Sequence, residues 1–301
     1  MTKPSSSRSA AQPLEPDSPS VKTRTLDSPA AGTGTGTGTG VASIGVFDSG
    51  VGGLTVLQAL RARLPDVPLH YVADTAHAPY GDRSSEYIRE RSLRVAEHLR
   101  EAGARMVVVA CNTATAHAVN AMRERWPGWP VVGIEPGVKP AVAATRNGRI
   151  GVMATTATIA SRRYEALVAA HASDVSLVSQ PCPGLVSLIE QGDLGNPELG
   201  ALVDRYCEPL KAAGVDTVLL GCTHYPLIQD RIQAALGSEV QLLNIEDAVA
   251  RQAQRLWESL HLPARPDSPM VLQSTGDPAP LQRLAREALG WASAEAARVN
   301  V

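Results

Sequence analysis

The sequence predicts an α/β fold with mostly parallel sheets, and three observations carry the prediction. From Ser43 onward, short β-branched runs alternate with longer segments of helical period, the pattern of βαβ units. An apolar strand followed by a small residue, a cysteine and polar side chains occurs twice, as Met106–Thr113 (MVVVACNT) and Val218–Tyr225 (VLLGCTHY), 111 residues apart. The alternating part of the chain is about 259 of its 301 residues, near the roughly 250 residues at which one hydrophobic core commonly divides. Two modest α/β domains or one large one are expected.

In chain order, residues 1–42 hold Ser, Pro, Thr and Ala with scattered charges, and Gly32–Gly40 alternates Gly and Thr. Such a segment is too polar and flexible to repay the entropy of ordering, so it reads as a disordered tail. It has no apolar stretch of the kind an export signal needs. Strands are expected at Ser43–Phe47, Leu69–Ala73, Arg105–Ala110, Val131–Ile134 and Ile150–Ala154, then at Val175–Val178, Thr217–Leu220, Val240–Leu243 and Met270–Gln273, each a short apolar run. A helix is expected over Ser84–Ala102, where Ile88, Val95 and Leu99 share a face and Gly103 closes the last turn. Crossings between two domains are placed near Gly137 and Pro140 and near Asn244–Asp247.

Composition narrows the function. The chain has 28 Lys+Arg against 30 Asp+Glu, a formal charge of −2, and only four Trp, six Tyr and one Phe. It therefore has neither the basic footprint nor the stacking surface of a nucleic-acid binder. No run approaches the roughly 18 apolar residues of a membrane span, and a soluble, cytoplasmic protein is expected. Four cysteines without a CxxC pair, and histidines outside HExxH spacing, argue against a disulfide framework and against a metal site.

Several strand ends carry candidate chemistry. Asp48-Ser49-Gly50-Val51-Gly52-Gly53 joins a carboxylate and a hydroxyl to a glycine turn that lets backbone amides approach an anion. It fits neither the dinucleotide fingerprint nor the phosphate loop, so a dehydrogenase is disfavoured. Asp74–Gly81 is a long polar loop that reads, taken alone, as solvated surface. Thr155, Thr156 and Thr158 read, taken alone, as helix caps. Ligands bind beyond the carboxyl ends of parallel strands, so Cys111 and Cys222 would stand where a site belongs, with two related halves facing each other across a cleft. At a helix N-terminus Cys111 would have its thiolate stabilised. His224, two residues past Cys222, would project to the same side in extended backbone. Cys182 and Cys207 read as structural, and Glu190 as a solvated helix end.

Together, FDSGVGGLTVL, YVADTAHAPYG, VVVACNTATA, GIEPGVKPA, GVMATTATIAS, CPGLVSLIEQG and LGCTHYPL, in that order, resemble the cofactor-independent glutamate racemases over about Ile44–Leu289. The resemblance implies two similar α/β domains with mostly parallel sheets and the active site in the cleft between them. The first would comprise residues 43–135 and 247–301 and the second 136–246. Cys111 and Cys222 would be the acid/base thiols on opposite faces of the substrate Cα, with Cys222 serving the L enantiomer and Cys111 the D. Asp48, His224 and Glu190 would assist them. Asp48, Ser49, Tyr80, Gly81, Asn112, Thr113, Thr155, Thr223 and His224 would bind substrate. No cofactor, metal, nucleic acid or membrane is implied; the partner is the small molecule glutamate, with D-glutamate feeding peptidoglycan, and a homodimer is among the assemblies left open. An aspartate racemase or a catalytically silent binding protein on the same fold are the alternatives.

Overall fold

The computed structural model describes residues 42–263, 268–287 and 289–301. Residues 1–41 of the expected tail lie outside the described residues, and Ala42 packs against the core.

Among the described residues ten strands follow in order: β1 Ser43–Asp48, β2 Leu69–Ala73, β3 Ala104–Val109, β4 Val131–Gly133, β5 Arg149–Ala154, β6 Ser176–Pro181, β7 Thr217–Leu220, β8 Gln241–Leu243, β9 Met270–Ser274 and β10 Ala296–Arg298. They form a six-stranded sheet in the order β10-β9-β2-β1-β3-β4 and a four-stranded sheet in the order β6-β5-β7-β8. Every pairing is parallel. β2-β1-β3-β4 and β6-β5-β7-β8 have the same order, so the four-stranded sheet repeats the four strands of the larger one that end at its β4 edge. β3 corresponds to β7, and the two cysteines that the sequence repeat singled out follow equivalent strands.

Nine strands match expected runs to within three residues at either end. Only β10 lacks a sequence signal, because Ala-Ala-Arg has no β-branched run and pairs as a three-residue edge strand against β9. The expected helix spans Ser85–Glu101. Ser84 Oγ accepts the Tyr87 N–H at 3.2 Å at its start, and Gly103 follows it with a φ of 104°, a conformation glycine adopts without strain.

Parallel sheets need cover on both faces. One apolar cluster runs through the middle of the molecule and takes Ile44 and Val46 from one sheet and Ile150, Val152 and Leu219 from the other. Separate clusters cover the far faces, around Phe47, Val107 and Leu99 on the larger sheet and around Val218, Leu210 and Tyr206 on the smaller. The chain passes to the second sheet after β4 and returns after β8. Among the described residues no helix is long and apolar enough to cross a membrane.

Candidate active site

Each cysteine stands just past the carboxyl end of its strand, but the backbone that follows differs between them. After β3, Cys111 caps the helix Asn112–Arg125: its Sγ accepts the Ala114 N–H at 3.4 Å and lies 3.6 Å from Ser49 Oγ. After β7, Cys222 Sγ lies 3.7 Å from His224 Nδ1. This pairing comes from a tight turn with His224 in the right-handed helical region (φ −77°, ψ −29°), not from the extended alternation expected from the sequence.

Helix amides alone would lower the Cys111 pKa, as expected from the sequence, but the structure reverses that direction. Burial, followed by the charge of Asp48, pushes the thiol well above its usual value, and the donors at Ala114 and Ser49 only partly oppose them. Asp48 is fully buried at the end of β1. Its Oδ1 accepts the Ser49 N–H at 2.7 Å and its Oδ2 accepts the Gly53 N–H at 2.7 Å, so the glycine turn wraps the carboxylate. Burial still raises its pKa, with His224 and Cys111 opposing and Glu190 adding to the rise.

Glu190 corrects the second expectation, that of a solvated helix end. It closes the helix Leu185–Glu190 and points inward, where its Oε1 bonds His224 Nε2 and accepts the Val51 N–H at 2.7 Å. Burial works against a charge on His224, but the bonds to Cys222 and Glu190 and the Glu190 charge outweigh it and hold the imidazole well above its usual pKa. An imidazolium there can pair with a thiolate formed at Cys222. Glycine makes the packing around this pair achievable: a Cβ at Gly52 would sit 2.5 Å from His224 Nδ1, and one at Gly50 would collide with the Glu190 carboxylate.

Ser49, Tyr80, Gly81, Cys111, Asn112, Thr113, Thr155, Cys222, Thr223 and His224 line a single cavity, together with Pro79 and Val186, which the sequence reading missed. Asp48 and Glu190 stand behind its wall. Asn112 gives its Nδ2 to the Ile134 carbonyl and leaves Oδ1 buried without a partner among the described residues, an acceptor suited to an ammonium group. The Tyr80 hydroxyl faces the other way, donating to Asp74 Oδ2 at 2.5 Å, so Tyr80 meets the cavity through its ring and main chain. The site residues also bridge the two halves: Thr223 Oγ1 donates to Asp48 Oδ2 at 3.2 Å, and the hydroxyls of Thr113 and Thr155 meet at 2.9 Å. Cys207 is buried in the second half, away from the lining, whereas Cys182, buried beside it, lines a small neighbouring cavity with Pro79, Gly81, Thr155 and Val186.

The cavity holds about 10 Å³, against the roughly 300 Å³ or more of an ordinary ligand pocket. The two halves are drawn shut on it. A larger cavity, about 800 Å³, opens between Gln58, Leu227 and Glu246, but no thiol lines it. Among the described residues no three His, Cys, Asp or Glu side chains gather to hold a metal ion. The arrangement can present a thiol from each half, each with a polar partner, to one small molecule sealed from water.

Residues 54–253 match the Asp/Glu/Hydantoin racemase family. The chain is 54% identical to the glutamate racemase of Pseudomonas aeruginosa over 215 residues, which cover 71% of this chain and 81% of that protein. Among solved structures, a glutamate racemase isoform from Bacillus anthracis superposes with a TM-score of 0.76 at 32% identity, covering 86% of this chain and 97% of that one. The Escherichia coli glutamate racemase, solved with L-glutamate and the activator UDP-MurNAc-Ala, superposes with a TM-score of 0.74 at 30% identity, covering 86% and 98%. Two parallel α/β sheets meeting at paired cysteines, together with this agreement over most of its length, make the chain a member of the Asp/Glu/hydantoin racemase family.

Proposed function

We propose that the protein is a glutamate racemase that interconverts L- and D-glutamate by two-thiol acid/base catalysis in the cytoplasm and supplies the D enantiomer for peptidoglycan. The observation that carries the reading is the pair of cysteines at equivalent strand ends, both lining one closed cavity. The relatives described above are glutamate racemases, which favours glutamate over aspartate.

Removing the Cα proton of an amino acid leaves a carbanion, which fixed hydrogen bonds and exclusion of water must stabilise. In this reading the hydroxyls of Ser49, Thr113, Thr155 and Thr223 and the main chain at Tyr80–Gly81 receive the carboxylates, and Asn112 Oδ1 receives the ammonium. A thiolate at Cys222 takes the proton of L-glutamate, with His224 as its counter-charge and Glu190 holding the ring. Cys111, kept as a thiol by burial and Asp48, delivers a proton to the opposite face. The reverse direction exchanges these protonation states. A cavity this small admits glutamate only when the halves part, and the hydroxyls of Thr223, Thr113 and Thr155 then exchange their bonds across the seam for bonds to the ligand.

The purified protein is expected to bring L-glutamate and D-glutamate to the same racemic mixture, followed by circular dichroism, and to leave L-aspartate optically unchanged on that timescale. Racemisation of aspartate at the greater kcat/KM would overturn the substrate assignment. Gly52→Ala tests the packing that sets the imidazole. Its methyl would displace His224, and a misplacement on the order of 1 Å costs roughly 100-fold. A drop of that size in kcat/KM is expected with the far-ultraviolet spectrum unchanged.

A further inference from the structure

Behind the wall that Tyr80 gives to the cavity lies a buried ion pair for which the proposed proton transfers have no use. Asp74, just past β2, is fully buried, and Arg91, on the helix Ser85–Glu101, is nearly so. Asp74 Oδ2 accepts Arg91 Nε at 2.8 Å and the Tyr80 hydroxyl at 2.5 Å; Oδ1 accepts Arg91 Nη2 at 2.9 Å and Thr275 Oγ1 at 2.8 Å. Arg91 Nη1 donates to the main-chain oxygen of Val301 at 2.6 Å. Four donors from three separate segments occupy both carboxylate oxygens, so Asp74 has no acceptor position left for a ligand.

A buried ion pair is a poor device for stability alone, since apolar groups of equal volume commonly do as well. What this pair does is fix a place. Through the Tyr80 hydroxyl it pins the loop whose next residue, Gly81, packs so closely on the second half that a Cβ there would lie 2.9 Å from Thr155 Cβ. Thr155 in turn bonds Thr113, beside Cys111. A small displacement of Tyr80–Gly81 therefore opens the seam between the halves.

We infer that Asp74 and Arg91 are positioning residues, which hold Tyr80–Gly81 against Thr155 and so set how tightly the cleft closes on its ligand without touching the reacting atoms. The kinetic part of this inference rests on the racemase reading; its structural part does not.

Tyr80→Phe removes only the hydroxyl that meets Asp74, and Arg91→Lys keeps the charge but loses the two-pronged fork. Both variants would be treated with iodoacetamide, with alkylation of Cys111 and Cys207 followed separately by peptide mass spectrometry. Cys207 is buried in the helix Pro197–Ala212, outside the cavity lining, and reports general unfolding. Alkylation of Cys111 is expected to accelerate by roughly tenfold relative to Cys207, the scale of losing one hydrogen bond to a charged group. KM for both glutamate enantiomers is expected to rise by about the same factor, with kcat within about threefold, as loss of uniform binding requires. An unchanged Cys111-to-Cys207 ratio, or a fall in kcat at constant KM, would overturn the inference. If the wild type fails to racemise glutamate, the racemase reading falls and the alkylation ratio still decides the positioning role. Tyr80→Phe carries the test alone if Arg91→Lys does not fold.

Discussion

Cys111→Ser and Cys222→Ser are each expected to lower kcat/KM for racemisation by roughly 10⁴-fold, the upper end of what a positioned acid or base contributes. A serine hydroxyl fills nearly the same space but neither holds nor releases a proton near neutral pH as a thiol does. Because the two enantiomers of free glutamate are equal in energy, the loss in kcat/KM must be the same in both directions for each variant. Exchange of the Cα hydrogen separates the two roles. With Cys222 intact, Cys111→Ser is expected to go on exchanging the Cα proton of L-glutamate with solvent, and Cys222→Ser that of D-glutamate. Mass spectrometry of each enantiomer in deuterated water reads the pattern. Exchange of both enantiomers by one variant would mean that a single group serves both faces.

Glu190→Gln is expected to cost roughly 100-fold in kcat/KM by removing the charge that holds the His224 imidazolium. The same substitution has a signature in stability. His224 binds its proton more tightly in the folded protein than in the unfolded chain, where its pKa is about 6.5. The stability this supplies is complete below that value and is lost as pH rises through the folded value. Removing the Glu190 charge lowers the folded value, so the advantage of wild type over Glu190→Gln is largest in mildly acid solution and shrinks toward alkaline pH. Thermal unfolding of both proteins at pH 6 and pH 9 measures it. A gap in Tm that stays constant or widens with pH would show that Glu190 does not hold the proton on His224.

What could be read in the sequence follows the physics of each element. The strands at the centre of each sheet were legible because a strand buried on both faces must be a continuous apolar run, as Met106–Val109 is. The cysteines were legible because a twofold repetition of strand, small residue and thiol has little other explanation. Glu190 was ambiguous by itself: the residues around it suggest a helix end equally well in solvent or in a cleft, and only Val51 and His224, distant in sequence, decide between them. Arg91 gave no signal, since it sits among Glu86, Arg89, Glu90 and Arg94 on a charged helix and its partner Asp74 comes from another strand end. Tyr80 lay in a recognisable motif, but its sequence does not say that the hydroxyl turns back to Asp74 and away from the cavity. The direction of the Cys111 pKa was missed for a related reason: the helix amide is visible in the sequence, whereas the depth of burial and the nearness of Asp48 arise only on folding.

The central claim is that two thiols, one from each half, serve opposite faces of Cα, and the isotope content of product formed by the wild-type protein in deuterated water tests it most directly. If one cysteine removes the proton of L-glutamate and the other delivers a solvent-derived one, D-glutamate formed in the first few per cent of reaction carries deuterium at Cα while the remaining L-glutamate stays protiated. Early D-glutamate that retains protium at Cα, or an L-glutamate pool that gains deuterium as fast as product appears, would contradict the two-thiol account.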